Sequence, residues 1–409
     1  MPQGTPRMNS REDVRKFFSA SDEQIAAGET TDTYFPRTLK MLEENGLANV
    51  NVCAEVTASE LQSGWAWAVF AGLEEVLRLF EGLPVDIYSV PEGTVFRNRS
   101  RGGVPVPLMY IVGRYCDFAV YETPMLGFIC HSSGVTTVAS RFRKRCGDRM
   151  LLAFGIRRAH PAIAPMIDRA SYIGGCDAVS SVAGADTIGM EPQGTMPHAS
   201  VLMFGDAAKA FSAYSHSMPP GARKIALVDT FSDERQEALT AARTIPDLYG
   251  VRLDTPKSRR GSLPAIVTEV RWELDASGFR RVKIFVSGGV READIEALKN
   301  AGVDGFGVGT AISNAPVVDF SLDIVETEGR GIAKRGKFSG RKDVYRCPGC
   351  LQFDVIPAGE SPAKCPSCGV AQVKMLKKVL SKGKRTSVET VAESIRSYVL
   401  KQLSAVEEP

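Results

Sequence analysis

Apolar and polar positions divide the chain into two regimes. Over 48–57 the apolar residues Val50, Val52, Ala54 and Val56 alternate, and over 104–120 Val106, Leu108, Tyr110 and Val112 do the same. That period of two predicts half-buried antiparallel strands; 85–90 reads the same way. Between them, 64–80 predicts one amphipathic helix carrying Trp65, Val69, Leu73, Val76, Leu77 and Phe80. Beyond Leu126 the pattern changes. Short apolar runs at 150–154, 177–182, 224–228, 251–253, 284–286 and 306–308 alternate with helical patterns at 126–146, 162–172, 197–211, 233–243, 262–277 and 291–300. Such βα alternation predicts a parallel sheet. The expected fold class is α/β: an irregular, incomplete α/β barrel beside an α+β N-terminal domain, with an open doubly wound sheet as the alternative. A last amphipathic helix is expected over 388–403, packed back on the body. Residues 1–30 are polar and expected to be loosely held.

Within the second regime, 283–311 is the most informative stretch. The run Ile284-Phe285-Val286 stops at Ser287-Gly288-Gly289, and the next strand stops at Gly307-Val308-Gly309-Thr310. Two glycine-rich strand ends side by side leave backbone N–H groups uncovered, which suits a phosphate. Other polar residues also fall where strands end: Arg157, Asp186, Asp229 and Asp254. In parallel α/β architectures that rim is where ligands bind.

The 409 residues suggest two or three domains, and their formal net charge of +3 gives no general argument for nucleic acid or an anionic membrane. No apolar run reaches the ~20 residues that span a bilayer, and the first twenty lack an apolar signal core, so a cytoplasmic protein is expected. The nine cysteines do not read as a secreted disulfide framework. Four of them form Cys347-Pro348-Gly349-Cys350 and Cys365-Pro366-Ser367-Cys368, fourteen residues apart. That spacing predicts a closed tetrahedral sulfur site with a structural role, with zinc the first choice and iron the second. The run 331–342 is basic, with Lys334, Arg335, Lys337, Arg341 and Lys342. The expected divisions are 1–125, 126–330 and 331–409.

Several motifs resemble nicotinate phosphoribosyltransferases, in the compact form with a C-terminal four-cysteine module. Thr31-Asp32-Thr33-Tyr34 resembles the family's Asp-x-Tyr, and Phe154-Gly155-Ile156-Arg157-Arg158 its Phe-Gly-x-Arg-Arg. Gly194-Thr195-Met196-Pro197-His198 resembles Gly-Thr-x-x-His, and Arg252-Leu253-Asp254-Thr255 resembles Arg-Leu-Asp-Ser/Thr. Ser287-Gly288-Gly289 and Gly307-Val308-Gly309-Thr310 resemble the phosphate-binding strand ends. The resemblance spans Thr31 to about Tyr345.

The resemblance implies transfer of phosphoribose from phosphoribosyl pyrophosphate to nicotinate, coupled in many members to ATP hydrolysis, with Mg²⁺ on the pyrophosphate. It implies a homodimer with sites between subunits. It gives His198 the phosphoryl group of ATP, places Asp254, Asp229 and Arg252 at the ribose, and puts Thr195 and Thr255 in the substrate motifs. Phe154 and the neighbouring subunit's Tyr34 would stack on the ring, and Arg157 would bind its carboxylate. Ser287, Gly288, Gly289, Gly307, Gly309 and Thr310 would hold the 5′-phosphate, with Lys334, Lys337 or Lys342 on pyrophosphate. Asp186, in Gly184-Ala185-Asp186-Thr187, departs from many nicotinate enzymes and keeps nicotinamide open as a substrate; quinolinate is a further alternative. A reading from another class is a nucleic-acid binder, using the cysteine module and the run Lys374, Lys377, Lys378, Lys382, Lys384 and Arg385.

Overall fold

The computed structural model describes residues 17–256, 258, 259 and 261–407. The expectation of a loose polar start falls partly on 1–16, outside the described residues; within 17–30 a short helix, Asp22–Ala26, is closed by a Ser21–Gln24 capping box.

The parallel sheet is a curled half-barrel of six strands. Its spatial order is Ala178–Val179, Met150–Ala153, Gly305–Val308, Lys283–Val286, Leu248–Leu253, Lys224–Leu227. These strands are short and, apart from Leu248–Leu253, which is half buried, almost wholly buried, as a sheet covered on its face by helices requires. The covering helices include Ala164–Ile173, Glu234–Thr244, Leu263–Ala276 and Ile295–Asn300, whose apolar stripes join the strands in one core. Asp233 and Ser262 cap the second and third of these, their side chains accepting from the N–H of Gln236 and Ala265.

The first regime makes a seven-stranded antiparallel sheet with its own core. Three separate stretches build it: 51–114, 320–331 and 377–385. Strand Phe320–Thr327 pairs with Asn51–Ala58, so by strand pairing the expected 126–330 segment gives its last part to the other sheet. Helix Glu122–Cys146 runs between the two bodies, with Met125 and Ile129 in one core and Val135, Val138 and Phe142 in the other.

Two helical expectations are corrected. In 64–80 only Leu73–Phe80 is helical, while Ala68–Val69 pairs with Val95–Phe96 as a strand. Gly72, at φ 95°, forces the break, and the N–H groups of Val69 and Ala71 are taken by Thr137 and Ser133 of the long helix. The stretch 197–211 holds two helices, His198–Phe204 and Ala207–Ser217, because Gly205 ends the first in a left-handed turn and Asp206 caps the second.

Lys342–Arg346 opens a three-stranded module with Phe353–Pro357 and Val373–Lys374. Phe353 anchors it in the first core, and helix Ala392–Leu403 returns to the body beside Ala164–Ile173.

Candidate active site

All six parallel strands point their C-terminal ends at one mouth, and most of the candidate residues collect there because they follow strand ends. Met150–Ala153 leads into Phe154 and the turn Ile156–Arg158, which carries Arg157 and Arg158. Lys224–Leu227 leads to Asp229, Leu248–Leu253 to Asp254, Lys283–Val286 to Ser287-Gly288-Gly289, and Gly305–Val308 to Gly309-Thr310. His198 enters from the side as the first residue of its helix. The resulting cavity has a volume of about 710 Å³. It is lined by Phe154, Arg157, Thr195, His198, Arg252, Asp254, Ser287, Gly288, Gly289, Gly307, Gly309 and Thr310.

A chain of hydrogen bonds fixes the acidic side. Asp229, its side chain only 2% exposed, lies with Oδ1 2.9 Å from His198 Nε2. Its other oxygen accepts the Asp254 N–H at 2.8 Å. Ser287 Oγ donates to Asp254 Oδ1 at 3.0 Å. Burial pushes the Asp229 carboxyl above its ordinary range, and His198 and the Asp254 amide partly offset this. Burial likewise lowers the Arg252 guanidinium, against the opposing pull of Asp254 and Asp229. Arg252 Nη2 donates to Met196 O at 3.2 Å, while its buried Nε has no protein partner. A donor left in that state at a cavity wall is open to a ligand or a water.

Gly288 is required twice over. Its φ is 87°, and a Cβ there would stand 2.7 Å from Asp254 Oδ1.

The structure does not bring every candidate to this mouth. Thr255 donates to Glu234 at 3.1 Å and lines a neighbouring depression. Asp186 is exposed on helix Val182–Thr187 and is not among the lining residues. Tyr34, 55% exposed, lines a separate depression with Glu122, Asp323 and Lys334. Lys334 and Lys337 both pair with Asp323, at 2.6 and 2.7 Å. Lys342 corrects its expected role: it is buried against Glu55 at 2.8 Å, also donates to Gly340 O, and does not line the mouth.

Sequence reasoning missed Arg158 and Ser180 as lining residues, although the adjacent arginines of the Phe-Gly-x-Arg-Arg motif signalled the first. It also missed Glu237, which accepts the N–H groups of Thr230, Phe231 and Ser232 and fixes the loop after Asp229. No periodic signal marks that residue.

The four cysteine sulfurs lie within 4.8 Å of one another. A tetrahedron with bonds of ~2.3 Å separates its sulfurs by about 3.8 Å, so the donor set fits zinc. Arg101 donates to Cys365 Sγ at 3.4 Å, a cation beside a ligand that binds as thiolate. Lys374, Lys378 and Arg385, part of the basic run after the module, pair with Asp343, Asp86 and Glu74.

The sequence matches the family described as quinolinate phosphoribosyl transferase, its N-terminal domain over residues 32–133 and its C-terminal domain over 135–323. It is 28% identical over 390 residues to nicotinate phosphoribosyltransferase pncB1 of Mycobacterium tuberculosis, covering 83% of this chain and 84% of the relative. It is 26% identical over 364 residues to the nicotinate phosphoribosyltransferase of Bacillus subtilis, covering 77% and 72%. The crystal structure of nicotinate-nucleotide pyrophosphorylase from Pyrococcus furiosus superposes with a TM-score of 0.91 at 46% identity, covering 96% of this chain and 99% of that one. Human nicotinic acid phosphoribosyltransferase shares the fold, with a TM-score of 0.74 at 19% identity over 92% and 94% of the two chains. Together with these relatives, a half-barrel with a glycine-lined mouth beside an antiparallel companion sheet defines a phosphoribosyltransferase enzyme acting on small molecules. Within that class, the chain belongs to the nicotinate phosphoribosyltransferase family. Among the described residues no helix is long and apolar enough to cross a membrane.

Proposed function

We propose that the protein joins nicotinate to 5-phosphoribosyl 1-pyrophosphate, giving nicotinate mononucleotide and pyrophosphate for NAD biosynthesis. The observation that carries this reading is the composition of the single mouth: the glycine cradle of Ser287–Gly289 and Gly307–Thr310 shares one cavity with Phe154 and Arg157, and Arg252 and Asp254 line it with them. The cradle's N–H groups take the 5′-phosphate. Arg157 takes the pyridine carboxylate by a charge-assisted pair, and Phe154 stacks on the ring. The ring nitrogen then attacks C1, and the C1–O bond breaks with its electron pair going to pyrophosphate. Asp254, held by Ser287, and Asp229 behind it stabilise the positive charge on the ribose, and Arg252 Nε orients the sugar. Mg²⁺, when bound with pyrophosphate, neutralises the leaving group. Asp186 stands apart from the lining residues, which supports a carboxylate substrate.

ATP coupling belongs to the same reading. His198 Nε2 faces Asp229, a buried carboxylate that orients the imidazole, and His198 is the residue that accepts the phosphoryl group. The working unit is a homodimer in which Tyr34 supplies the second ring face to the neighbouring subunit's site, in keeping with its exposure on this one. In this division, residues 1–125 present Tyr34, 126–330 carry the chemistry, and 331–409, with structural zinc, brace the two.

A second reading, quinolinate as substrate, is favoured by one observation: Arg158 lines the cavity beside Arg157. Turnover of nicotinate, nicotinamide and quinolinate with phosphoribosyl pyrophosphate, with and without ATP, decides between them. Nicotinate is expected to dominate; predominant turnover of either other pyridine overturns the proposal.

A further inference from the structure

A second cavity, of about 450 Å³, lies between the cysteine module, the antiparallel sheet and the C-terminal helix, on elements other than those that form the half-barrel mouth. Its volume is ordinary for a small-molecule site, about 300–1,000 Å³. Leu73, Met375, Val379, Val388 and Ile395 give it an apolar wall.

Arg346 also lines it, at the end of strand Lys342–Arg346 and next to the first cysteine ligand. The residue is 7% exposed, yet among the described residues no carboxylate pairs with it. Its partners are neutral: Nη1 donates to Gln402 Oε1 at 2.6 Å and Val95 O at 3.3 Å, and Nη2 to Tyr398 Oη at 2.8 Å. The rings of Phe353 and Tyr398 flank the guanidinium at 5.7 and 5.8 Å. Three of its five N–H donors are therefore used, and Nε and the second Nη2 hydrogen, which suit a bidentate carboxylate, are not.

The other charged groups at the wall do not supply the missing anion. Glu92 gives both oxygens to Arg169, at 2.8 and 3.1 Å, and one also to the Gly72 N–H. Glu389 accepts the Val391 N–H at 2.9 Å, and Lys374 pairs with Asp343. Lys377 is exposed and makes no ion pair among the described residues, adding a second cation.

We propose that this cavity binds a small monocarboxylate with an apolar body, its carboxylate on the free edge of Arg346 and its body against Leu73, Val379, Val388 and Ile395. A buried cation without a counter-ion, set in an apolar wall, selects that chemistry over neutral or dianionic ligands. The inference does not depend on the proposed pyridine substrate.

Calorimetric titration of the full-length, metal-loaded protein with hexanoate tests it, with hexanamide as the neutral counterpart. Saturable binding of one hexanoate per chain is expected, with hexanamide at least about tenfold weaker. Val388→Trp, in the loop before the last helix, fills the cavity and is expected to abolish binding while pyridine turnover persists. Arg346→Gln is expected to weaken binding at least about tenfold, and Arg157→Ala to leave it unchanged. Absence of saturable hexanoate binding overturns the proposal. So does equal affinity for the amide, persistence of binding in Val388→Trp, or its loss in Arg157→Ala.

Discussion

Replacing Gly307 by alanine isolates the placement of the Phe154 ring. A Cβ at 307 would lie 2.6 Å from Phe154 Cδ2 and 3.2 Å from Ser287 Cβ. Gly307 sits within strand Gly305–Val308 and is not left-handed, so the change adds no backbone strain. Non-bonded carbons rest about 3.5–4.0 Å apart, so the ring must recede by roughly 1 Å. Such overpacking costs about 1–3 kcal/mol of stability. Losing an aromatic stack of about 0.5–1.5 kcal/mol alone weakens pyridine binding roughly two- to twelvefold. Misplacement by about 1 Å in an active site can cost on the order of a hundredfold. Steady-state kinetics should therefore show the KM for nicotinate raised between about tenfold and a hundredfold, with the KM for phosphoribosyl pyrophosphate less affected. In a Phe154→Ala background the clash with the ring has no target and only the 3.2 Å approach to Ser287 Cβ remains, so adding Gly307→Ala should cost much less. A nicotinate KM within about twofold of the parent, or full additivity of the two substitutions, refutes the reasoning.

His198→Ala should abolish ATP stimulation while leaving basal phosphoribosyl transfer, read as the ratio of turnover with and without ATP. Metal analysis should give about one zinc per chain; stripping it with a chelator should expose the module to proteolysis, because so small a sheet buries little core of its own. Lys342→Met leaves Glu55 buried with Tyr110 as its remaining hydrogen-bond partner, and should cost about 3–5 kcal/mol in a urea titration, with Glu55→Gln in addition recovering part. Burial, with Asp323 nearby, raises Glu122 from 4.5 to about 7, so the folded state holds a proton that the unfolded state releases between those values. That contribution is present at low pH and lost as pH rises through about 7. Glu122→Gln should thus match the parent at pH 4 and exceed it at pH 8 by at most about 3 kcal/mol, read from urea midpoints at both.

Periodicity located almost every strand of the half-barrel, because each is a short buried run bounded by turn residues. It misplaced 64–72, where the apolar residues are buried all round and a helical stripe cannot be told from a strand held by Thr137 and Ser133. At the site, the glycine ends, Arg157, Asp229 and Asp254 were legible because strand ends in a parallel sheet converge whatever the loops between them, whereas His198, at a helix start, was legible only through its motif. Lys342 was not legible: a lysine in a basic run reads as solvated, and only tertiary packing puts it against Glu55, 287 residues away.

The order of elements, the glycine-rich strand ends and the cysteine quartet follow from the sequence alone, since each rests on spacing within a few residues. The companion sheet was decided only in three dimensions, because it closes from three stretches far apart along the chain, 51–114, 320–331 and 377–385. The same holds for the separation of Tyr34 from Phe154, the exposure of Asp186 and the buried guanidinium of Arg346. Each depends on which distant groups burial brings together, and short-range pattern carries no record of that.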